Sequence, residues 1–290
     1  VDWSKAKNIL IIAFIITNLF LLFNIEMNIL RQENFLTVSN KYVEEVKEHL
    51  ENSGVKVDTE IPRETLSMPV LFVKYNIFDI EEIGGKLLGQ NYTTEENTYK
   101  SNTAIVNIDG GKKLTYKRLV RNRPDHAMDE NKAIKISDDF LSKNDLNYNE
   151  IQLRQIYYGK LTEFDTNPVY MLVYEQVYKD YFLGGSYVHV YVNKYGIVGM
   201  EAMLFEYDKT YPQKRRVIPA TEALLRKINT MINDNPNDEV VVSSIELGYN
   251  FDPGSVNATT WQDVESGTAF PTWRITLNNG KTYHVEGFKN

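Results

Sequence analysis

Four histidines, at positions 49, 126, 189 and 284, are the side chains of this 290-residue chain that titrate near neutrality, since it has no cysteine. None stands in an H-E-x-x-H sequence or beside a second ligand at helix spacing, so no metal site is expected. His189 lies between Tyr187 and Tyr191 in an alternating pattern, where a structural role outweighs a ligand role. NNGKT (278–282) ends like a phosphate-binding loop, but that motif needs glycine where Ile275 stands. IGGKLLGQ (83–90) lacks the Lys-Ser/Thr step. There is no G-x-S-x-G elbow, and the only S-x-x-K match is Ser4 to Lys7, at the very start of the chain. The absence of any D-x-D pair weighs against a metal-dependent glycosyltransferase. Asp138 and Asp139 are adjacent, and on a helix neighbours diverge by about 100°, the arrangement of a solvated face. Two carboxylates brought together from distant positions, about 5–10 Å apart, would still serve a glycoside hydrolase. No catalytic, cofactor or metal residue can be named, and no cofactor is expected.

The strongest signal is physical. Ile9 to Ile25 is apolar apart from Thr17, Asn18 and Asn24, and carries no charge. Seventeen helical residues reach roughly 25 Å, near the short end of a membrane span, and no polar face recurs as in a soluble helix. A cleaved signal would end in small residues, whereas this run ends FNIEMNIL. The expectation is a retained transmembrane anchor over 9–25. Lys5 and Lys7 precede it while Glu26, Arg31 and Glu33 follow, which favours a cytoplasmic stub at 1–8 and an outside C-terminal part. Trp3 sits where an interfacial aromatic would.

The elements that follow alternate. A helix is predicted from about Leu36 to Asn52, opened by Ser39 or Asn40 and closed before Gly54. VKVDTEI and PVLFVKY read as strands, and TAIVNIDGGKKLTYKRLV as a hairpin turning at Asp109-Gly110-Gly111. A second helix is predicted over Asp129 to Lys143, with Ala133, Ile136, Phe140 and Leu141 on one face, followed by four strand patterns. A third starts near Pro219, with Ala223, Leu224, Ile228 and Met231 as its stripe. The last strands, TAFPTWRITLN and KTYHVEGF, are joined by Asn278-Asn279-Gly280. The segment from 249 to 271 is the longest turn-rich stretch, a binding loop or a mobile one. The fold class is therefore α+β: one N-terminal transmembrane helix, then an extracytoplasmic ectodomain of helix-plus-antiparallel-sheet modules. Its parts are expected at 26–125 and 126–290, the second holding two helix-then-meander modules.

A net charge of −7, with the stub at +1 and the remainder therefore at −8, is a poor match for nucleic acid. The absence of cysteine fits the outer face of a bacterium that does not rely on disulfides. The sequons at Asn91 and Asn257 then read as chance matches.

DWSKAKNILIIAFIITNLFLL (2–22), IPATEALLRKI (218–228), IELGY (245–249) and FPTWRITLNNGKTYHVEGF (270–288) together resemble the YycI family of Gram-positive bacteria. Asp2, Trp3, Ser4 and Lys5 match its opening; Gly248, Tyr249, Trp273 and Arg274 match its closing blocks. Residues 55–125 match by pattern only. The resemblance implies a single-pass cell-membrane protein, not an enzyme. It would adjust a WalK-like sensor histidine kinase together with a YycH-like protein, within two-component signalling that controls cell-wall metabolism. The sign of regulation does not transfer. In lipid, association rests on polar side chains and close packing. Asn18, with Ile11, Phe14, Ile15, Leu21 and Leu22 on its face, is the expected partner contact; its competing role is an amide bonded to its own backbone. Alternatives from other classes are an anchored ligand-binding sensor with 249–271 as lid, and a carboxylate-based cell-wall enzyme.

Overall fold

The structure, a computed structural model, describes residues 3–32, 36–120, 128–146, 151–256 and 258–288. The chain begins with helix α1 (Trp3–Gln32), followed by β1 (Leu36–Thr37), α2 (Asn40–Asn52), β2 (Val55–Val57), β3 (Glu64–Thr65), β4 (Ser67–Met68) and β5 (Leu71–Tyr75). Next come α3 (Ile80–Leu88), β6 (Thr93–Glu95), β7 (Thr98–Lys100), β8 (Ala104–Asp109), β9 (Lys113–Arg118), α4 (Glu130–Lys143), β10 (Ile151–Lys160) and β11 (Pro168–Tyr178). The remainder is β12 (Tyr181–Gly184), β13 (Tyr187–Asn193), β14 (Gly196–Met203), β15 (Phe205–Thr210), β16 (Arg215–Arg216), α5 (Ala220–Asn233), β17 (Val240–Asn250), β18 (Ser266–Leu277) and β19 (Thr282–Glu286).

Local chemistry accounts for the helix ends. The Ser39 hydroxyl accepts from the Tyr42 amide and Gly54 follows α2 with φ +89°. The Asp129 carboxylate accepts from Lys132 N at 2.8 Å, and Pro219 opens α5 without a side-chain cap. The stripe Ala223, Leu224, Ile228 and Met231 is buried as its spacing requires; on α4, Ala133 and Leu141 are buried while Ile136 and Phe140 pack partly exposed against the same core. α3 was not anticipated, because Gly84 and Gly85 weaken its propensity; Asp79 caps it by accepting from Glu81 N at 2.9 Å.

Fifteen strands form one mostly antiparallel sheet in the order β15-β5-β18-β17-β12-β11-β13-β14-β9-β8-β7-β6, with β10 beside β11, β19 beside β18 and β2 beside β17. The β2–β17 and β12–β17 pairs are parallel. The α+β expectation holds, and the sheet carries two large cores besides a small cluster of Phe164, Val169, Tyr191 and Val198. α2 and α5 cover the first, with Leu50, Leu71, Val73, Leu224, Met231, Val242, Trp273 and Ile275. α3 and α4 cover the second, with Leu87, Val106, Leu114, Leu141, Leu172, Val190 and Met200.

The sheet forks at β11–β13. Tyr178 pairs with Tyr181 across the two-residue turn Lys179-Asp180, both at positive φ. β12 then lies beside β17 in the first core's half, and after Gly185 the chain enters the second half as β13. Gly185 has φ +95°, and a Cβ there would meet the Phe251 carbonyl oxygen at 2.9 Å, so the fork needs glycine.

Two expectations change. The 249–271 segment is shorter than anticipated, since β17 runs through Asn250 and β18 begins at Ser266. What remains is pinned. The buried Lys112 ammonium donates to the carbonyl oxygens of Gln262 and of Val264 (3.1 Å), and Asp263 closes a capping box with Thr260. The second change concerns α1. Among the described residues no helix is long and apolar enough to cross a membrane. What stands is a 30-residue helix with exposed apolar side chains; the crossing itself is not an observed feature.

Candidate functional site

Two features stand out chemically. One is the face of α1. Ile11, Phe14, Ile15, Asn18, Leu21 and Leu22 follow one another at spacings of one and three, and all are exposed. Asn18 Nδ2 donates to the Phe14 carbonyl oxygen at 3.0 Å, and Thr17 Oγ1 to that of Ala13 at 2.9 Å. The self-bonded amide is thus realised on one side of Asn18, and its Oδ1 remains an acceptor.

The other is an ionic seam where the halves of the sheet meet, on the face away from the helices. In β18, Trp273, Ile275 and Leu277 point into the first core, so Arg274 points the other way. Its Nη1 donates to Glu175 Oε1 on β11 at 2.6 Å, and its Nη2 and Nε donate to Glu246 Oε2 on β17 at 2.7 and 3.2 Å. Arg154 on β10 completes the set, 3.4 Å from Glu175 Oε2 and 3.4 Å from Glu246 Oε1. Two guanidiniums and two carboxylates therefore neutralise one another across the seam. Beneath them the Phe182 ring lies 4.0 Å from the Arg274 guanidinium carbon. Phe182 fits only because residue 248 is glycine, where a Cβ would meet the ring at 2.3 Å. Burial works against the Arg274 charge, but Glu175 and Glu246 hold its proton affinity above the usual arginine range. Gln176 ties the halves again: its Oε1 accepts from Phe205 N at 2.7 Å and its Nε2 donates to Phe205 O at 3.0 Å.

Glu175 and Glu246 are the converging carboxylates that a glycoside hydrolase would need, but each is held by arginine and neither lines a described cavity. They are built as an ion pair, not as an acid and a base. Asp138 accepts from the Tyr174 hydroxyl at 2.8 Å, which fixes α4 to the sheet, and Tyr174 is pushed well above the ordinary tyrosine range by burial and that contact. The described histidines do not converge: His49 lies in the last turn of α2 and His284 across from Arg274, while His126 is outside the described residues. Among the described residues no group of three His, Asp or Glu side chains could hold a metal.

His189 stacks on Tyr187 at 4.5 Å, on the helix-free face of β13. Next to it, Glu201 accepts from the Tyr191 hydroxyl at 3.0 Å and pairs with Lys113 at 3.2 Å, and Phe164 lies flat on Tyr191 at 4.0 Å. Burial pushes the His189 imidazole below its ordinary value, against the opposing pull of Glu201.

Against known proteins, a family model described as "YycI protein" matches residues 33–288. The chain belongs to the YycI family. Membership in that family, which is not known for catalysis, suggests a regulatory accessory role in the WalK/WalR two-component system. No curated protein matches the YycI-family chain in sequence. A crystal structure of an uncharacterized protein from Eubacterium rectale ATCC 33656 overlaps 80% of this chain and 85% of its own, at 10% identity and a TM-score of 0.48.

Arg154, Glu175, Glu246 and Phe182 were missed as site residues by sequence reasoning, and Gly248 and Arg274 entered only through the resemblance. The available signal was Glu175 itself, an acid inside the apolar run PVYMLVYEQVY, which needs a cation once buried.

Two predictions follow from this geometry. Arg274→Met leaves Glu175 buried with only the more distant Arg154, and should cost about 3 kcal/mol in urea unfolding; Glu175→Gln added to it should recover part of that loss. Because the His189 proton affinity is lowered by folding, the unfolded chain binds more protons below its ordinary value. Stability should therefore be full above about pH 6.5 and fall as pH drops below it, and His189→Gln should flatten that fall in urea midpoints taken at pH 7.5 and 5.5.

Proposed function

We propose that this chain is a membrane-anchored regulator that modulates a WalK-like sensor histidine kinase by protein–protein contact, together with a YycH-like protein, and so affects cell-wall metabolism signalling. Residues 1–8 lie in the cytoplasm, 9–25 span the membrane, and 26–125 and 126–290 form the outer part. The observation that supports this reading is α1. From Ile11 to Leu22 it carries no charge, and its apolar side chains face outward. Such a surface is costly in water and suited to lipid or to another apolar helix.

Regulation requires α1 to bind the kinase's own membrane helices unequally in their two signalling states. Apolar contact alone discriminates little in lipid, where the tails are as apolar as leucine; polar groups and packing provide the preference, at roughly 0.6–2 kcal/mol per hydrogen bond. Asn18 offers its Oδ1 and second amide hydrogen from the centre of the face made by Ile11, Phe14, Ile15, Leu21 and Leu22. Family membership supports the class of partner, and no cofactor enters.

Asn18→Leu should keep membrane insertion and reduce co-purification with the kinase or the YycH-like protein by about three- to thirtyfold. Unchanged association would remove Asn18 from the contact.

A further inference from the structure

The outer part carries a strong acidic excess, yet one pocket holds two arginines that no described acid pairs. It is an open pocket of about 540 Å³ lined by Val38, Val217, Ile218 and Phe288 together with Arg215 and Arg216. Both arginines are exposed, and among the described residues neither has a carboxylate at ion-pair distance. Glu222, which also lines the cavity, pairs with Arg226 at 2.9 Å. Arg215 lies 5.3 Å from the Phe288 ring centroid, so its planar group rests on the apolar wall. An apolar pocket with two guanidiniums that no described carboxylate pairs suits an amphiphile with an anionic head, because guanidinium binds phosphoryl oxygens in a planar, bidentate manner.

The position of the cavity indicates where such a molecule would come from. Thr37 and Val38 form part of its lining, and α1 ends at Gln32. Five residues reach at most about 18 Å, so the cavity is tethered close to the end of the helix. We propose that it binds the phosphoryl headgroup of a membrane lipid, with Arg215 and Arg216 as ligands and the apolar wall accepting the adjoining chain. This rests on the anchor reading of α1. A lipid bound there would fix how the outer part sits on the bilayer, and would make its posture depend on anionic lipid content.

The test uses the full chain in lipid nanodiscs of phosphatidylcholine alone or with about 30% phosphatidylglycerol, a content high enough to populate a weak headgroup site. Backbone amide exchange over 213–222 should slow by about threefold or more in the anionic discs. Arg215→Gln/Arg216→Gln should abolish the slowing, and Arg215→Lys/Arg216→Lys should restore part of it. Equal slowing by inorganic phosphate in neutral discs would overturn the lipid assignment, and slowing that survives the glutamine pair would overturn the role of the arginines. Failure of the chain to co-purify with discs defeats the anchor reading and this proposal with it; co-purification without any slowing defeats this proposal alone.

Discussion

A guanidinium only 13% exposed, set between two carboxylates from different strands, is costly to desolvate and more costly to leave unpaired. Arg274 occupies that position, and the two halves of the sheet meet around it. Its strand belongs to the first core while Glu175 belongs to a strand of the second half, so one side chain bridges the two hydrophobic units. The Phe182 ring lies 4.0 Å beneath the guanidinium, and its place there leaves room only for glycine at 248.

The same seam explains why the sheet can fork without coming apart. β12 and β13 part company after Gly184, one joining β17 and the other β14. At that point ladder hydrogen bonds cannot serve both directions. The gap is filled by side chains acting as backbone: Gln176 pairs with both polar groups of Phe205, and Lys112 reaches the carbonyl oxygens of Gln262 and Val264. These contacts join residues distant in sequence and tie one half of the sheet to the other.

Much of the local structure was legible in the sequence. Periodicity and caps gave α2, α4 and α5, and the glycine turns at 110–111 and 280 lie at positive φ as their strands demand. Such features depend on neighbours within a few residues. The helix α3 was hidden by its glycines, and the short strands β3, β4, β6, β7 and β16 fall below the length at which alternation can be read. The seam was not legible because it needs β17 between β12 and β18, with β12 beside β11, and those pairings depend on tertiary packing, not on local pattern. Its one trace was a lone acid in an apolar strand. For α1 the sequence speaks in chemistry, through an uncharged apolar run, while the structure adds the exposure of its side chains and the partial self-bonding of Asn18.

At the seam Glu175 and Glu246 are both paired with arginine, and the proposed regulatory contact lies in the first helix. The most direct measurement is kinase output in native membranes containing the sensor kinase and either the full chain, residues 1–35 alone, or the full chain with α1 replaced by an unrelated apolar span. The account predicts that 1–35 crosslinks to the kinase and shifts phosphorylation of the response regulator, and that the α1 replacement abolishes the effect. A replaced helix that leaves regulation intact, with 1–35 inert, would contradict it and place the contact in the outer part.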